Sequence, residues 1–508
     1  MYRKKQRSPI TPEKFELLPG TKLSAENRWV IMADLIPWEE FEEEYAKQFK
    51  REKGAPAKPF RMALGALIIK EQLGISDRET VEQIRENPYL QYFIGLEAYT
   101  FEAPFEASMM VHFRQRITLE LVNKINEGMV KRGRERIEQK EEKSGSDSEE
   151  IGERVNKGKL ILDATCAPAD IKYPTDLEIL NQARKTIEII IDILYLTLRG
   201  KLKKKPRTYR KNARKDYLKI AKKRRTSHQE RRESIKKQLK YIKRNLSHVE
   251  KLIKGGAKLD SLNKRQQTSL LVVKKIYEQQ LEMWEKKTHS VPQRIVSLAQ
   301  PHIRPIVRGK AGKPVEFGAK LSVSCVDNYI FLDRINWENF NESGDLKTQV
   351  EKYRKIFGYY PESVHVDKIY RTRENRNWCK EKGIRISGPK LGRPPKNVSE
   401  EEKKQALDDE CFRNAIEGKF GQAKRRFSLN LVMTKLPETS ETSIAITFLV
   451  VNLSKLLRQF LSLFLSLFTK VKTDELSKRF FINFDYSFNH FSVVKLINFL
   501  ENSWLKVA

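Results

Sequence analysis

Apolar residues recur at three- and four-residue spacing through residues 20–140, most clearly in FRMALGALIIKEQLG (60–74), and predict an all-helical N-terminal stretch. Ser76-Asp-Arg-Glu79 has capping-box spacing and opens a second helix that ends at the Asn87-Pro88 break. Gly74-Ile75 joins the two helices, either as a helix-turn-helix or as two ordinary packed helices. Residues 141–158 are polar and contain Gly and Ser, which reads as a linker. From Lys159 the pattern shortens. Lys159-Leu-Ile-Leu-Asp163-Ala-Thr is an apolar run read as a buried strand that ends at Asp163, and residues 176–198 are helical. Residues 199–295 form a Lys/Arg-rich helical block with sparse apolar positions such as Ile235, Leu239, Ile242 and Leu246. That spacing suggests a helical hairpin or short coiled coil turned at Gly255-Gly256. Strand patterns return at 315–326 and 329–335 around an Asp327-Asn328 hairpin turn. A helix over 345–357, a strand over 363–367, a helix over 373–382, a strand over 383–387 and a helix over 408–426 complete an alternating α/β order. There is no internal repeat.

Charge narrows the class of partner. Among 508 residues, 99 Lys and Arg oppose 66 Asp and Glu, a formal +33. The segment 199–254 alone holds 24 Lys and Arg against four Asp and Glu. Basic charge so concentrated points to a polyanion, and nucleic acid is the ordinary one. Hydrophobic residues at 39% are enough for a sizeable core. Cys166, Cys325, Cys379 and Cys411 lie far apart with no C-x-x-C pair, which argues against zinc and fits reduced thiols in a cytoplasm. The most apolar segment, 443–468, is broken by Lys455 and Arg458. Neither half reaches about 18 uncharged residues, so it reads as a buried or partner-facing helix and not as a membrane span.

Three acids stand where chemistry would need them. Asp163 and Asp367 fall at the ends of two predicted strands, and Glu417 lies on the helix after the last strand. Converging carboxylates offer the oxygen ligands that Mg²⁺ or Mn²⁺ prefers, and two such ions activate the attacking and stabilise the leaving oxygen of a phosphodiester. At about 100° per residue, Arg413 and Lys424 share one stripe of that helix with Glu417. The stripe is either a solvated face with helical ion pairs or a cationic flank for a bound phosphate. Lys368, Tyr370, Arg371 and Arg373 follow Asp367 and either line a DNA path or are plain surface. Arg393, in GPKLGRPPK (388–396), stands in the setting of a minor-groove hook or an ordinary loop. His365 reads as a packed strand histidine.

The segments LILDATCAPADIKYPTD (160–176), SVHVDKIYRTRENR (363–376) and RNAIEGKFGQAKRRF (413–427) resemble the DDE transposases of bacterial insertion sequences whose signature is Tyr-x2-Arg-x3-Glu-x6-Lys. Residues 15–130 also resemble the helical DNA-binding domain that precedes the catalytic core in that family. The resemblance implies that Asp163, Asp367 and Glu417 are the metal-binding triad, and that Arg413 and Lys424 contact the DNA backbone. It departs from the signature at Glu410, which occupies the Tyr position.

The expected architecture is therefore α/β: an RNase H-like mixed-sheet core, implied by the resemblance, with an all-helical N-terminal domain and a basic helical insertion. The expected divisions are 1–140, a linker at 141–158, a catalytic core at 159–198 and 296–440, the insertion at 199–295, and a helical and aromatic segment at 441–508. The expected activity is metal-dependent cleavage at mobile-element ends with strand transfer into target DNA. Two Mg²⁺ or Mn²⁺ ions, double-stranded DNA, a homodimer and a bacterial, nucleoid-associated cytoplasmic setting go with it. A metal-dependent nuclease without strand transfer, a non-catalytic DNA-binding protein and an RNA-binding architectural protein are the alternatives.

Overall fold

The N-terminal third is helical: α1 (Arg28–Leu35), α2 (Trp38–Ala46), α3 (Phe60–Leu73), α4 (Asp77–Glu86), α5 (Pro88–Phe93), α6 (Met109–Arg116) and α7 (Leu119–Glu142). The computed structural model describes residues 2, 11–17, 21–49, 56–142, 156–202, 204–310, 313–388 and 399–469. Most of the expected linker, Arg393 and the aromatic tail after 469 lie outside them. α3 is apolar on nearly every side because it is sunk in the core: Ala63, Leu64, Ala66, Ile68 and Ile69 are fully buried. Gly74 ends it at φ +68°, where a side chain would be strained, and Ser76 caps α4 by accepting from the Glu79 amide at 3.2 Å. α4 carries Asp77, Glu79, Glu82 and Glu86 against Arg78 and Arg85. α3 and α4 pack on each other across the Gly74 turn, and α4 is net acidic.

A six-stranded mixed sheet follows. Its strands are β1 (Lys159–Pro168), β2 (Arg304–Lys310), β3 (Lys313–Val326), β4 (Tyr329–Asn336), β5 (Ser363–His365) and β6 (Arg385–Ile386). Between β1 and β2 lie α8 (Asp176–Thr197), α9 (Arg210–Ala221), α10 (His228–Lys254) and α11 (Lys264–Lys286). After β4 come α12 (Leu346–Phe357), α13 (Arg373–Glu381), α14 (Glu400–Arg425) and α15 (Pro437–Thr469). The path through the sheet is β2-β3-β1-β5-β6, with β4 also on β3. β2 and β4 share one edge of the long β3, β2 along its first part and β4 along its last. β1 is antiparallel to β3 and parallel to β5, which is parallel to β6. The hairpin turn is as expected, with Asp327 and Asn328 both in the left-handed region (φ 49° and 62°).

The sequence reading differs from the structure in four places. β1 does not stop at Asp163; it runs five residues further, paired only with β3. β2 was not anticipated, because RPIVRGK offers two aliphatic residues among cations and pairs along one edge only. α14 starts at Glu400, where Ser399 caps an acidic first turn. α8, expected within the catalytic core (159–198), instead buries Ile187, Ile190, Ile191 and Leu194 against α10 and α11, in a core cluster separate from the main one.

α15, the most apolar segment of the chain, is long and apolar enough to cross a membrane by composition, but 72% of its apolar window is buried inside this fold. It packs on α7, α6, α3 and β4, so one main core joins the N-terminal helices to the sheet. Gly318 faces the β1 backbone: a Cβ there would stand 2.0 Å from the Ala167 carbonyl oxygen. Backbone cannot yield as a flexible side chain can. Gly318→Ala is expected to cost about 3 kcal/mol, the upper end of ordinary overpacking. Gly344→Ala, with nothing within 4 Å, is the matched control. Thermal melting of both checks the claim, which fails if Gly318→Ala melts with the control.

Candidate active site

Three elements meet at one place, where β1 and β5 part company. Their parallel ladder pairs Lys159 with Ser363, Leu160 with Val364 and Ile161 with His365. Carrying that offset two residues on sets Asp163 level with Asp367. Asp163 is thus mid-strand in β1, yet at the end of the β1–β5 ladder. Asp367 lies two residues past β5 and caps a 3-10 turn (Lys368–Tyr370), accepting from the Lys368 amide at 2.7 Å. α14 lies across β1 and β5 and brings Glu417 to the same place.

The three acids sense one another. Burial pushes the Asp163 carboxyl up to about 6; the Ala164 amide (2.7 Å) and Arg413 oppose the rise, and the Glu417 and Asp367 charges add to it. A carboxylate buried beside two others is short of positive charge, which is what a hard divalent cation supplies. The all-oxygen donor set fits Mg²⁺ or Mn²⁺. Among the described residues no three acidic, His or Cys side chains already converge closely enough to hold an ion. The reason is visible at Glu417: its side chain is 53% exposed and pairs with Arg413 at 3.1 Å. The expected cation–carboxylate stripe is there, and in this state it is an ion pair along the helix.

Two of the proposed DNA contacts are corrected. Tyr370 and Arg371 do not line a surface path: Tyr370 is fully buried and Arg371 nearly so. The 3-10 turn sends Lys368 and Ile369 outward and turns Tyr370 in beneath the site. There, burial first and the Asp163 charge second hold its phenol above the ordinary range, with Ser322 of β3 beside it. Arg371 lies against Gly388. Lys368 is exposed, Lys424 and Arg413 are half-buried, and Glu410, at the signature Tyr position, is exposed.

The sequence reading also missed a buried support. His365 is fully buried, as a packed strand histidine should be, with its Nε2 3.0 Å from the Ser363 hydroxyl. Its Nδ1 lies 3.5 Å from Asp409 on α14, and Asp409 accepts from both terminal nitrogens of Arg385 at 2.7 and 2.8 Å. Phe412 covers the His365 ring, and Lys159 sits over Phe412 at 3.5 Å. These contacts fasten α14 two turns before Glu417 to the strands that carry the two aspartates. Only Asp409's place eight residues before Glu417 hinted at this in the sequence.

Residues 364–454 match the transposase DDE domain, and residues 20–116 match the transposase domain (DUF772). The first match takes in Asp367, Arg413, Glu417 and Lys424. An "uncharacterized protein ORF8 in nfe locus" of Rhizobium meliloti is 35% identical over 147 residues, which are 29% of this chain and 64% of that protein. The chain therefore matches slightly less than two thirds of that relative's length. No solved structure matches the chain.

Proposed function

We propose that this chain, which carries two transposase domains, is a divalent-metal-dependent DNA transposase that cuts at the ends of its own mobile element and joins the freed 3′ ends to target DNA. The observation that carries the reading is that Asp163 on β1, Asp367 just past the end of parallel β5 and Glu417 on α14 lie close enough to feel one another's charge. The strand order β4-β3-β1-β5-β6, three antiparallel strands followed by two parallel ones, supports an RNase H-like core. Asp163, Asp367 and Glu417 would hold the metal. When bound, the ions activate the attacking oxygen and stabilise the leaving one.

The chain's own groups do the rest. Arg413 leaves Glu417 for a backbone phosphate, and Lys424, two turns on, takes another along the same stripe. Exposed Lys368 follows Asp367 on the same rim. Tyr370 closes the floor under Asp163 and keeps water from its inner side. In the first reaction water attacks a phosphodiester and frees a 3′-hydroxyl. In the second that hydroxyl attacks a target phosphodiester and displaces a 3′-oxygen of the target. A homodimer holding both ends, in the bacterial cytoplasm at the nucleoid, is part of the proposal.

The test is incubation of the protein with a duplex carrying the inverted repeats that flank its reading frame, in Mg²⁺ or Mn²⁺ and in EDTA. The expected products are 3′-hydroxyl ends at the repeat boundary and molecules joined to target, both absent in EDTA. Nicks without joined molecules would reduce the protein to a nuclease, and binding without cutting would leave only a DNA-binding protein.

A further inference from the structure

We infer that the lysine rows of α9 and α10 in the basic module grip duplex DNA by its phosphates without reading sequence. The inference rests on the DNA-processing reading above and adds a second DNA surface, remote in sequence from the three acids. The module is a built unit. α8, α10 and α11 share their own apolar core. Its first and last residues are stapled together, since Asp176 accepts from Arg294 at 2.6 Å and from Gln280 at 2.9 Å. The neck onto the sheet is a small cluster, Ala169, Val296 and Ile303, backed by Phe317 and Trp337.

Folding consumes only part of the charge on this unit: Lys205 and Arg210 pair with Asp192, Lys237 with Asp216 and Lys223 with Glu230, and Lys236 sits over Trp284. Apart from Arg232 and Arg244, every described Lys and Arg of 199–254 is exposed. The few acids are partly occupied inside the module. Asp216 accepts from Tyr241 at 2.8 Å, and Glu230 pairs with Lys223 while closing the α10 capping box. On α9, Lys211, Lys215, Lys219 and Lys222 recur every three or four residues, so they fall within about 80° of one another, opposite buried Ala213. On α10, Lys236, Lys240 and Lys243 make a second such row. Rows of like charge about 6 Å apart repel one another weakly, pair by pair, a cost that a regular array of anions relieves. A duplex backbone is such an array, and flexible lysines bind phosphate as point charges without reading bases.

The test replaces Lys211, Lys215, Lys219, Lys222, Lys240 and Lys243 with Gln in the full chain. These side chains bear no core contact, and circular dichroism and melting confirm an unchanged fold. Binding to a random duplex and to an element-end duplex is titrated against salt. Each phosphate neutralised contributes about −0.9 to the slope of log K against log salt, so five engaged lysines flatten it by roughly 4 to 5. Affinity is expected to fall by the same factor for both DNAs, about a hundredfold or more at low salt. Cleavage by the unmodified protein is measured on the same preparation. An unchanged slope in a protein that still cuts overturns the grip and leaves the transposase reading standing. A flattened slope in a protein that does not cut keeps the grip and removes that reading. A loss confined to element-end DNA also overturns the proposal, because it would mean sequence reading.

Discussion

Asp163→Asn, Asp367→Asn and Glu417→Gln are each expected to lower metal-dependent cleavage by about a thousandfold, roughly 4 kcal/mol of barrier, while binding of element-end DNA stays near normal. Each change removes one oxygen charge from a set whose members feel one another across β1, the turn after β5, and α14. Asp163→Asn carries a second signature that separates lost chemistry from lost folding. Its carboxyl ordinarily titrates near 3.8 and is raised to about 6 in the folded protein, chiefly by burial. The folded state thus prefers the protonated acid. The stability this contributes is full below the ordinary value and is lost as pH rises through about 6. Replacing the acid with the amide removes that loss. In EDTA, Asp163→Asn should therefore melt above the unmodified protein at pH 8 and close to it near pH 4. A dead variant that also melts early at pH 8 would mean that Asp163 holds the fold together and that the metal role is misassigned. Any of the three variants that cuts at a normal rate removes its residue from the site.

What could be read from the sequence follows from how local each signal is. The Asp327-Asn328 turn, the Gly74 stop and the Ser76 cap depend on backbone conformations that a few residues dictate, and all three are present. Asp163 drew attention as the acid after an apolar run. The extent of β1 did not follow, because Ala164–Pro168 is held by pairing with β3, a partner some 150 residues away. Tyr370 and Arg371 read as surface or DNA-path residues because they directly follow the candidate acid Asp367. A single 3-10 turn decides which of these neighbours points out, and no periodicity announces it. α8 differs for the opposite reason: its helix is legible in 176–198, but a helical pattern does not name the helices it will meet. The three acids stand out in the sequence by residue type and by the segments that carry the resemblance. Their closeness to one another and the Asp409–His365 fastening behind them are tertiary facts.

α15 shows the same limit on a larger scale, and its polar residues give the second large prediction. A helix this apolar reads as core, yet its few buried polar side chains decide what it joins. Glu71 of α3 accepts from Thr447 at 2.6 Å and from the Ser428 amide at 2.9 Å, which ties the N-terminal helices to the segment after α14. Asn452, fully buried, goes further. Its Oδ1 accepts from the Ile330 amide at 2.9 Å, and its Nδ2 donates to the Ile330 carbonyl at 2.7 Å and to Asn126 Oδ1 at 2.9 Å. One side chain thus completes the backbone pairing of β4 and holds α7 beside it. Asn452→Ala leaves the Ile330 N–H and the Asn126 oxygen buried without these partners, at about 1–3 kcal/mol each, while the Ile330 carbonyl keeps Asn126 Nδ2 at 3.2 Å. The expected loss is about 3–4 kcal/mol in all, with a small cavity included. Asn452→Leu fills that space yet restores no hydrogen bond, so it should lose nearly as much. Hydrogen exchange reads the effect where it arises: the Ile330 amide should lose protection in both variants, and protection of α7 should fall with it. If Asn452→Leu instead keeps the unmodified protein's exchange and melting, packing alone holds α15 in place, and the polar tie between the N-terminal helices and the sheet is not what makes them one core.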